Sequence, residues 1–121
     1  MKRRNLRAFV ATAAAVAVAT SLSASAEAKT IGMVVKVLNN AFTPPLQKGC
    51  QDAQKALGIE CIFIGPTEFN EAQQVQMVQD MISRGVDALA VSAANPKAMA
   101  RVLQQAKDKG IPVVTFDSDV L

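Results

Sequence analysis

The sequence predicts an α/β fold, a doubly wound parallel sheet built as βαβαβαβ over residues 29–121. Three observations carry this reading. Short apolar runs of strand length alternate with amphipathic stretches of helix length, as in successive βαβ units. The pairs Gly58-Ile59, Gly85-Val86 and Gly110-Ile111 each set a glycine that stops a helix before a β-branched residue that opens a strand. Helix starts carry their own signals at Thr43-Pro44, Asn70 with Gln73, and Asn95-Pro96. An all-helical chain would have to run through every one of these stops.

The chain opens in a different style. Met1-Lys2-Arg3-Arg4-Asn5-Leu6-Arg7 is basic, Ala8 to Leu22 is an alanine-rich apolar run of 15 residues, and Ala26-Glu27-Ala28 is a small-x-small site before Lys29. That order is a secretory signal peptide over residues 1–28. A membrane anchor is the rival reading, but the run is shorter than the ~20 apolar residues a bilayer span needs. Arg3-Arg4 also faintly matches a twin-arginine signal, so both export routes stay open. No cysteine follows the run, and no lipid anchor is expected.

Loss of the leader changes the charge. Of 13 basic and 10 acidic residues, Lys2, Arg3, Arg4, Arg7 and Glu27 leave with it, and the remainder is formally neutral. The basic balance therefore belongs to export. It gives no sign of a nucleic-acid partner, which needs a retained basic patch.

Thr30 to Leu38 is a nearly continuous apolar run, expected as a first strand covered on both faces. Asn39-Asn40-Ala41-Phe42 forms a loop, and Thr43 is expected to cap a helix that carries Leu46, Cys50, Ala53 and Leu57 on one stripe. Ile59 to Ile64 is the second strand and Gly65 to Phe69 the loop after it. Asn70 then caps a helix with Val75, Val78, Met81 and Ile82 inward. Val86 to Ser92 is the third strand. The helix capped by Asn95 turns Met99, Val102, Leu103 and Ala106 inward, and Ile111 to Phe116 is a buried fourth strand. The chain ends directly after that strand, so residues 29–121 are expected to be the amino-terminal part of something longer.

In a parallel sheet the loops after the strands share the carboxyl edge, where ligands bind. They bring Asn39, Asn40, Phe42 and Thr43 together with Thr67, Glu68, Phe69, Ser92, Asn95, Asp117, Ser118 and Asp119. Amides, hydroxyls, carboxylates and aromatic rings suit a neutral polyhydroxylated ligand, whose hydroxyls both donate and accept. Asp117, at the tip of the fourth strand, is the strongest candidate. Each of the others has a plainer reading. Asn39-Asn40 makes a local turn, Thr43 and Asn95 cap helices, Phe42 and Phe69 plug the core, and Glu68 faces solvent. Lys36 stands out as a charge within the first strand. It either snorkels from an edge or pairs with an acceptor such as Asp117. Asp117 and Asp119 share a face if the strand continues, an arrangement open to a cation or an acid–base pair.

The chain contains no histidine, which removes Ser-His-Asp catalysis and histidine-ligated metal sites. No GxGxxG follows the first strand, and neither GxxxxGK[ST] nor GxSxG occurs. No cofactor or metal is expected. Cys50 and Cys61, in a chain bound for an oxidising compartment, are placed either for a disulfide across a short loop or as two buried thiols.

Taken together, Ile31-Gly32-Met33-Val34-Val35-Lys36, Leu38-Asn39-Asn40-Ala41-Phe42, Gly65-Pro66-Thr67-Glu68 and Thr115-Phe116-Asp117-Ser118-Asp119 resemble the type I periplasmic sugar-binding proteins, the ribose-binding-like receptors of ABC importers. Lys36, Gly-Pro-Thr-Glu and Asp-Ser-Asp are most similar to the rhamnose and autoinducer-2 receptor branch, whereas Asn-Asn-Ala-Phe is more similar to the ribose branch. The resemblance implies two doubly wound lobes joined by a hinge, with residues 29–121 an incomplete amino-terminal lobe. It implies a ligand set of Asp117, Asn40, Phe42, Lys36 and Ser118, with Asp117 accepting from sugar hydroxyls. Thr43 and Ser118 depart from the ribose pattern, which has a second aromatic and an arginine there. The implied function is capture of a monosaccharide or sugar-like ligand in the periplasm, without chemistry, for delivery to an ABC permease, with a chemoreceptor as a further partner. The alternatives are a secreted α/β enzyme whose catalytic residues lie beyond Leu121, and a receptor for a sugar-derived signal.

Overall fold

The computed structural model describes residues 26–120; nearly all of the expected signal peptide therefore lies outside the described residues. The elements follow in the order β1 (Thr30–Val34), α1 (Thr43–Leu57), β2 (Glu60–Ile64), α2 (Glu71–Arg84), β3 (Ala88–Val91), α3 (Pro96–Asp108) and β4 (Val113–Thr115). The four strands pair in parallel in the order β2-β1-β3-β4. The expected α/β architecture is thus present, with helices on both faces as right-handed crossovers require. No helix among the described residues is long and apolar enough to cross a membrane.

One face holds the core. Val34, Leu89 and Val91 point from the sheet onto Val78, Met81 and Ile82 of α2 and Met99, Val102, Leu103 and Ala106 of α3. Strand alternation sends Ile31, Met33 and Ala90 to the other face, beneath Leu46, Cys50 and Ala53 of α1. There α1 lies along β2, and the β4 side stays open. Val114, in register with Ala90 on that face, is 63% exposed. Leu57, expected at the end of the inward stripe, is also exposed. The sulfurs of Cys50 and Cys61 meet in a disulfide between α1 and β2, with a Cα–Cα distance of 5.8 Å.

Helix ends follow local chemistry. Asn70 Oδ1 accepts from the Gln73 N–H at 2.9 Å and Asn95 Oδ1 from the Ala98 N–H at 3.0 Å, each satisfying a first-turn donor. Gly85 closes α2 at φ 72°, a left-handed conformation that costs glycine little. Thr43 does not cap α1. Phe42 occupies the cap without a side-chain bond, and Thr43 is the first helical residue, its buried hydroxyl donating to Val37 O at 3.1 Å.

The strand boundaries also differ from expectation. β1 ends at Val34 rather than Leu38, because its last ladder bonds fall at Val35 N–H to Ile64 O and Ser92 N–H to Val34 O. Lys36 therefore stands in the loop beyond the strand, not within it. β4 is a three-residue edge strand, not a buried one, since among the described residues only β3 flanks it. Gly65 lets the loops after β1 and β2 touch. A Cβ there would lie 2.6 Å from Val35 Cγ2 and 2.8 Å from Val35 O. Beside it, Pro66 is fully buried and its carbonyl accepts from the Leu38 N–H at 2.7 Å.

Candidate functional site

The sheet order contains one reversal. From β1 the chain steps outward to β2, then returns past β1 to β3 on its other side. The carboxyl edge between β1 and β3 is thus a topological switch point, where the loops leave in opposite directions and open a crevice. A concavity of about 40 Å³ lies there, lined by Lys36, Asn40, Phe42, Ser92, Phe116 and Asp117 among others. Ligand pockets usually enclose ~300–1,000 Å³, so this is a shallow wall of polar and aromatic groups and not a closed pocket.

Asp117 is the centre of the wall. Its backbone has φ 60°, and the Ser118 N–H closes a three-residue turn onto Phe116 O at 2.6 Å. Aspartate tolerates this left-handed region better than most residues. The turn lifts the carboxylate off the end of β4, leaving its side chain 62% exposed. Oδ2 takes two donors, Lys36 Nζ at 2.8 Å and Ser92 Oγ at 3.0 Å. The hydrogen bond from Lys36, reinforced by that from Ser92, holds the carboxyl below its ordinary value of 3.8. Asp117 is therefore an anion at neutral pH, anchored through one oxygen.

Lys36 reaches Asp117 from the end of β1 and also donates to Ser118 Oγ. Of the two readings open for this lysine, the structure has the ion pair. Placing Lys36 past the strand makes this possible, since its stem is half-buried while its head meets the loop after β4. Ser118 accordingly faces the first loop rather than a free crevice.

Asn40 has a local role. Its Oδ1 accepts from the Phe42 N–H at 2.6 Å and its carbonyl from the Thr43 N–H at 3.1 Å, which folds the chain into α1. This turn raises Phe42, whose ring is 75% exposed. Phe42 and Phe69 are not plugs over the core, since both are largely exposed. Phe42 lines the concavity, whereas Thr67, Glu68 and Phe69 do not, because β2 lies on the far side of β1 from the switch point.

Asp119 does not share a face with Asp117. It accepts from Thr115 Oγ1 and from the Val120 N–H, both at 2.7 Å. The positive φ at Asp117 interrupts the two-residue alternation that would have aligned the two carboxylates. The Thr115 hydroxyl, with the Val120 N–H, also holds Asp119 below the usual carboxylate value. Among the described residues, no group of three or more Cys, Asp or Glu side chains is placed to hold a metal ion.

Ser92 stands at this edge as expected and adds an unexpected bond to Asp117, and Phe116 and Gln74 join the expected residues around it. Phe116 was legible as the last aromatic before Asp117. Gln74 carried a fainter signal: it is the polar residue one turn before Val78 on the inward stripe of α2, and it is fully buried.

Comparison with known proteins follows the same lines. Residues 31–121 match the family described as periplasmic binding protein domain. The ribose import binding protein RbsB of Bacillus subtilis is 35% identical over 88 residues, 73% of this chain and 28% of that protein. An ABC transporter periplasmic solute binding protein from Actinobacillus succinogenes, solved with bound D-allose, superposes with a TM-score of 0.73 at 26% identity, over 77% of this chain and 33% of that one. LsrB from Clostridium saccharobutylicum in complex with AI-2 gives 0.71 at 28% identity, over 75% and 28%. The chain thus spans about three-tenths of the length of the proteins it matches.

Proposed function

The chain belongs to the periplasmic binding protein domain family, and from that premise we propose that it captures a monosaccharide or sugar-like ligand in the periplasm and delivers it to an ABC importer. Residues 1–28 act as a signal peptide removed on export, and residues 29–121 form part of an amino-terminal lobe whose carboxyl edge is one wall of the ligand cleft. The observation that carries this reading is the Asp117 carboxylate, anchored through Oδ2 by Lys36 and Ser92 beside the exposed ring of Phe42. An anchored anion offers its remaining lone pairs to sugar hydroxyls, and an aromatic face covers the C–H side of a sugar ring. The amide nitrogen of Asn40 completes the set, and Ser118, which accepts from Lys36, supports the pair from the loop after β4. Lys36, already paired, neutralises the wall, which favours a neutral ligand over an anionic one.

A sugar-derived signal is the second reading, supported by the likeness to a protein solved with AI-2. In that case the partner is a sensor or chemoreceptor as well as a permease. Both readings predict binding without turnover. Calorimetric titration of pentoses, hexoses and deoxyhexoses into the protein of the complete reading frame, with recovery of the ligand afterwards, tests them. Saturable binding with unaltered sugar is expected, and a chemically altered sugar would overturn the reading in favour of an enzyme.

A further inference from the structure

Gln74 is a polar residue on an apolar stripe. It precedes Val78, Met81 and Ile82 on the core face of α2 and has no solvent exposure. A buried amide is costly unless its nitrogen and its oxygen both find partners. Here Nε2 donates to Ser92 O at 2.7 Å and Oε1 accepts from the Ala94 N–H at 2.9 Å. The two bonds grip the turn after β3 on either side of Ala93.

That turn is the one that holds Asp117. Ser92 Oγ donates to Asp117 Oδ2 at 3.0 Å, and the Ala93 N–H donates to Ser118 O at 3.3 Å. Ser92 and Ala93 are themselves buried, so the grip passes to the site through packed atoms and not through a mobile surface loop. A leucine or methionine at position 74 would suit the core without polar cost, but it would leave the Ala94 N–H and Ser92 carbonyl unpaired.

We propose that Gln74 is a positioning residue for the ligand site: by clamping residues 92–94 from α2, it aims the Ser92 hydroxyl and thereby sets the orientation of the Asp117 carboxylate. This rests on the sugar-binding reading only for its effect on affinity. The effect on Asp117 itself can be read without a ligand. Lys36 is the charged group bonded to Asp117, and Asp119 is turned away towards Thr115.

The test is a carboxyl-carbon NMR titration of Asp117 in Gln74→Met, Ser92→Ala and the double variant, paired with calorimetry on the sugar the wild type binds. Loss of the Ser92 hydroxyl bond should move the Asp117 midpoint upwards in all three. The double variant should match Ser92→Ala, because both changes act through one bond, and sugar affinity should fall roughly tenfold in each, as for one lost hydrogen bond. Gln74→Asn, too short to reach both partners, serves in place of Gln74→Met should that variant not fold. A variant at position 74 that lowers the melting temperature yet leaves the Asp117 midpoint unchanged would overturn the proposal. A raised midpoint with no sugar bound by the wild type would uphold the positioning role and reject the sugar reading alone.

Discussion

Lys36 Nζ lies 2.8 Å from Asp117 Oδ2, so the cation beyond the first strand is held by the carboxylate beyond the fourth. The pair spans the switch point of the sheet and joins the two loops that flank it. Its carboxylate side is largely open to water, so its contribution lies in orienting the carboxylate more than in stabilising the fold.

Asp117→Gly should remove sugar binding with little change in melting temperature. Glycine accepts φ 60° without steric cost, whereas alanine would add strain of its own. Loss of the charge-assisted bonds should weaken affinity by roughly a hundredfold or more. Calorimetry and a thermal melt on the same preparation check both halves of the statement.

Binding should persist to acid below the ordinary aspartate range. Lys36 and Ser92 depress the Asp117 carboxyl below 3.8, so the acceptor stays ionised until the pH falls through that lowered value. Whatever stability the pair contributes is present above the unfolded value and is lost as pH falls through the folded one. A binding midpoint above pH 3.8 would contradict this.

The opposite edge should show the reverse sign at high pH. The hydrogen bond to Asp87, at 2.8 Å, raises Lys29 above 10.5. Its contribution is complete below the unfolded value and disappears as pH rises through the folded one. Lys29→Met should flatten the loss of stability above about pH 10.5 in a denaturant series.

Replacing Cys50 and Cys61 together by alanine should lower stability by about 3 kcal/mol, the loop-closure term for so short a separation. Sugar affinity should hardly move, because the bridge joins α1 to β2, the strand outside the crevice. Urea unfolding of both forms measures the first effect.

Gly65→Ala should be costly because its Cβ would meet both the Val35 side chain, at Cγ2, and the Val35 backbone oxygen, which cannot swing aside. A loss of about 1–3 kcal/mol is expected for such overpacking. Affinity should fall as well, since Lys36 is the next residue along the displaced loop. A variant as stable as the parent would show that the two loops can separate freely.

Much of this protein was legible before folding. The glycine stops at Gly58, Gly85 and Gly110, the caps at Asn70 and Asn95, and the inward stripes of α2 and α3 are local signals, each set within a few residues. The site was legible in part. Asp117, Lys36 and Phe42 do meet at one edge, but Ser118 faces Lys36 and Asn40 spends its carbonyl on the turn into α1.

By itself, then, the sequence determined which segments are helix and strand, and that the strand ends gather amides, an aromatic ring and a carboxylate, because periodicity and capping act over short range. Only the tertiary structure decided that β1 stops short of Lys36, that Phe69 lies outside the crevice, that Asp119 turns away from Asp117, and that Gln74 reaches into the loop behind the site. Those outcomes depend on strand order, on a positive φ at a single residue and on hydrogen bonds between elements distant in the chain. No local pattern encodes them, since each partner is chosen by packing.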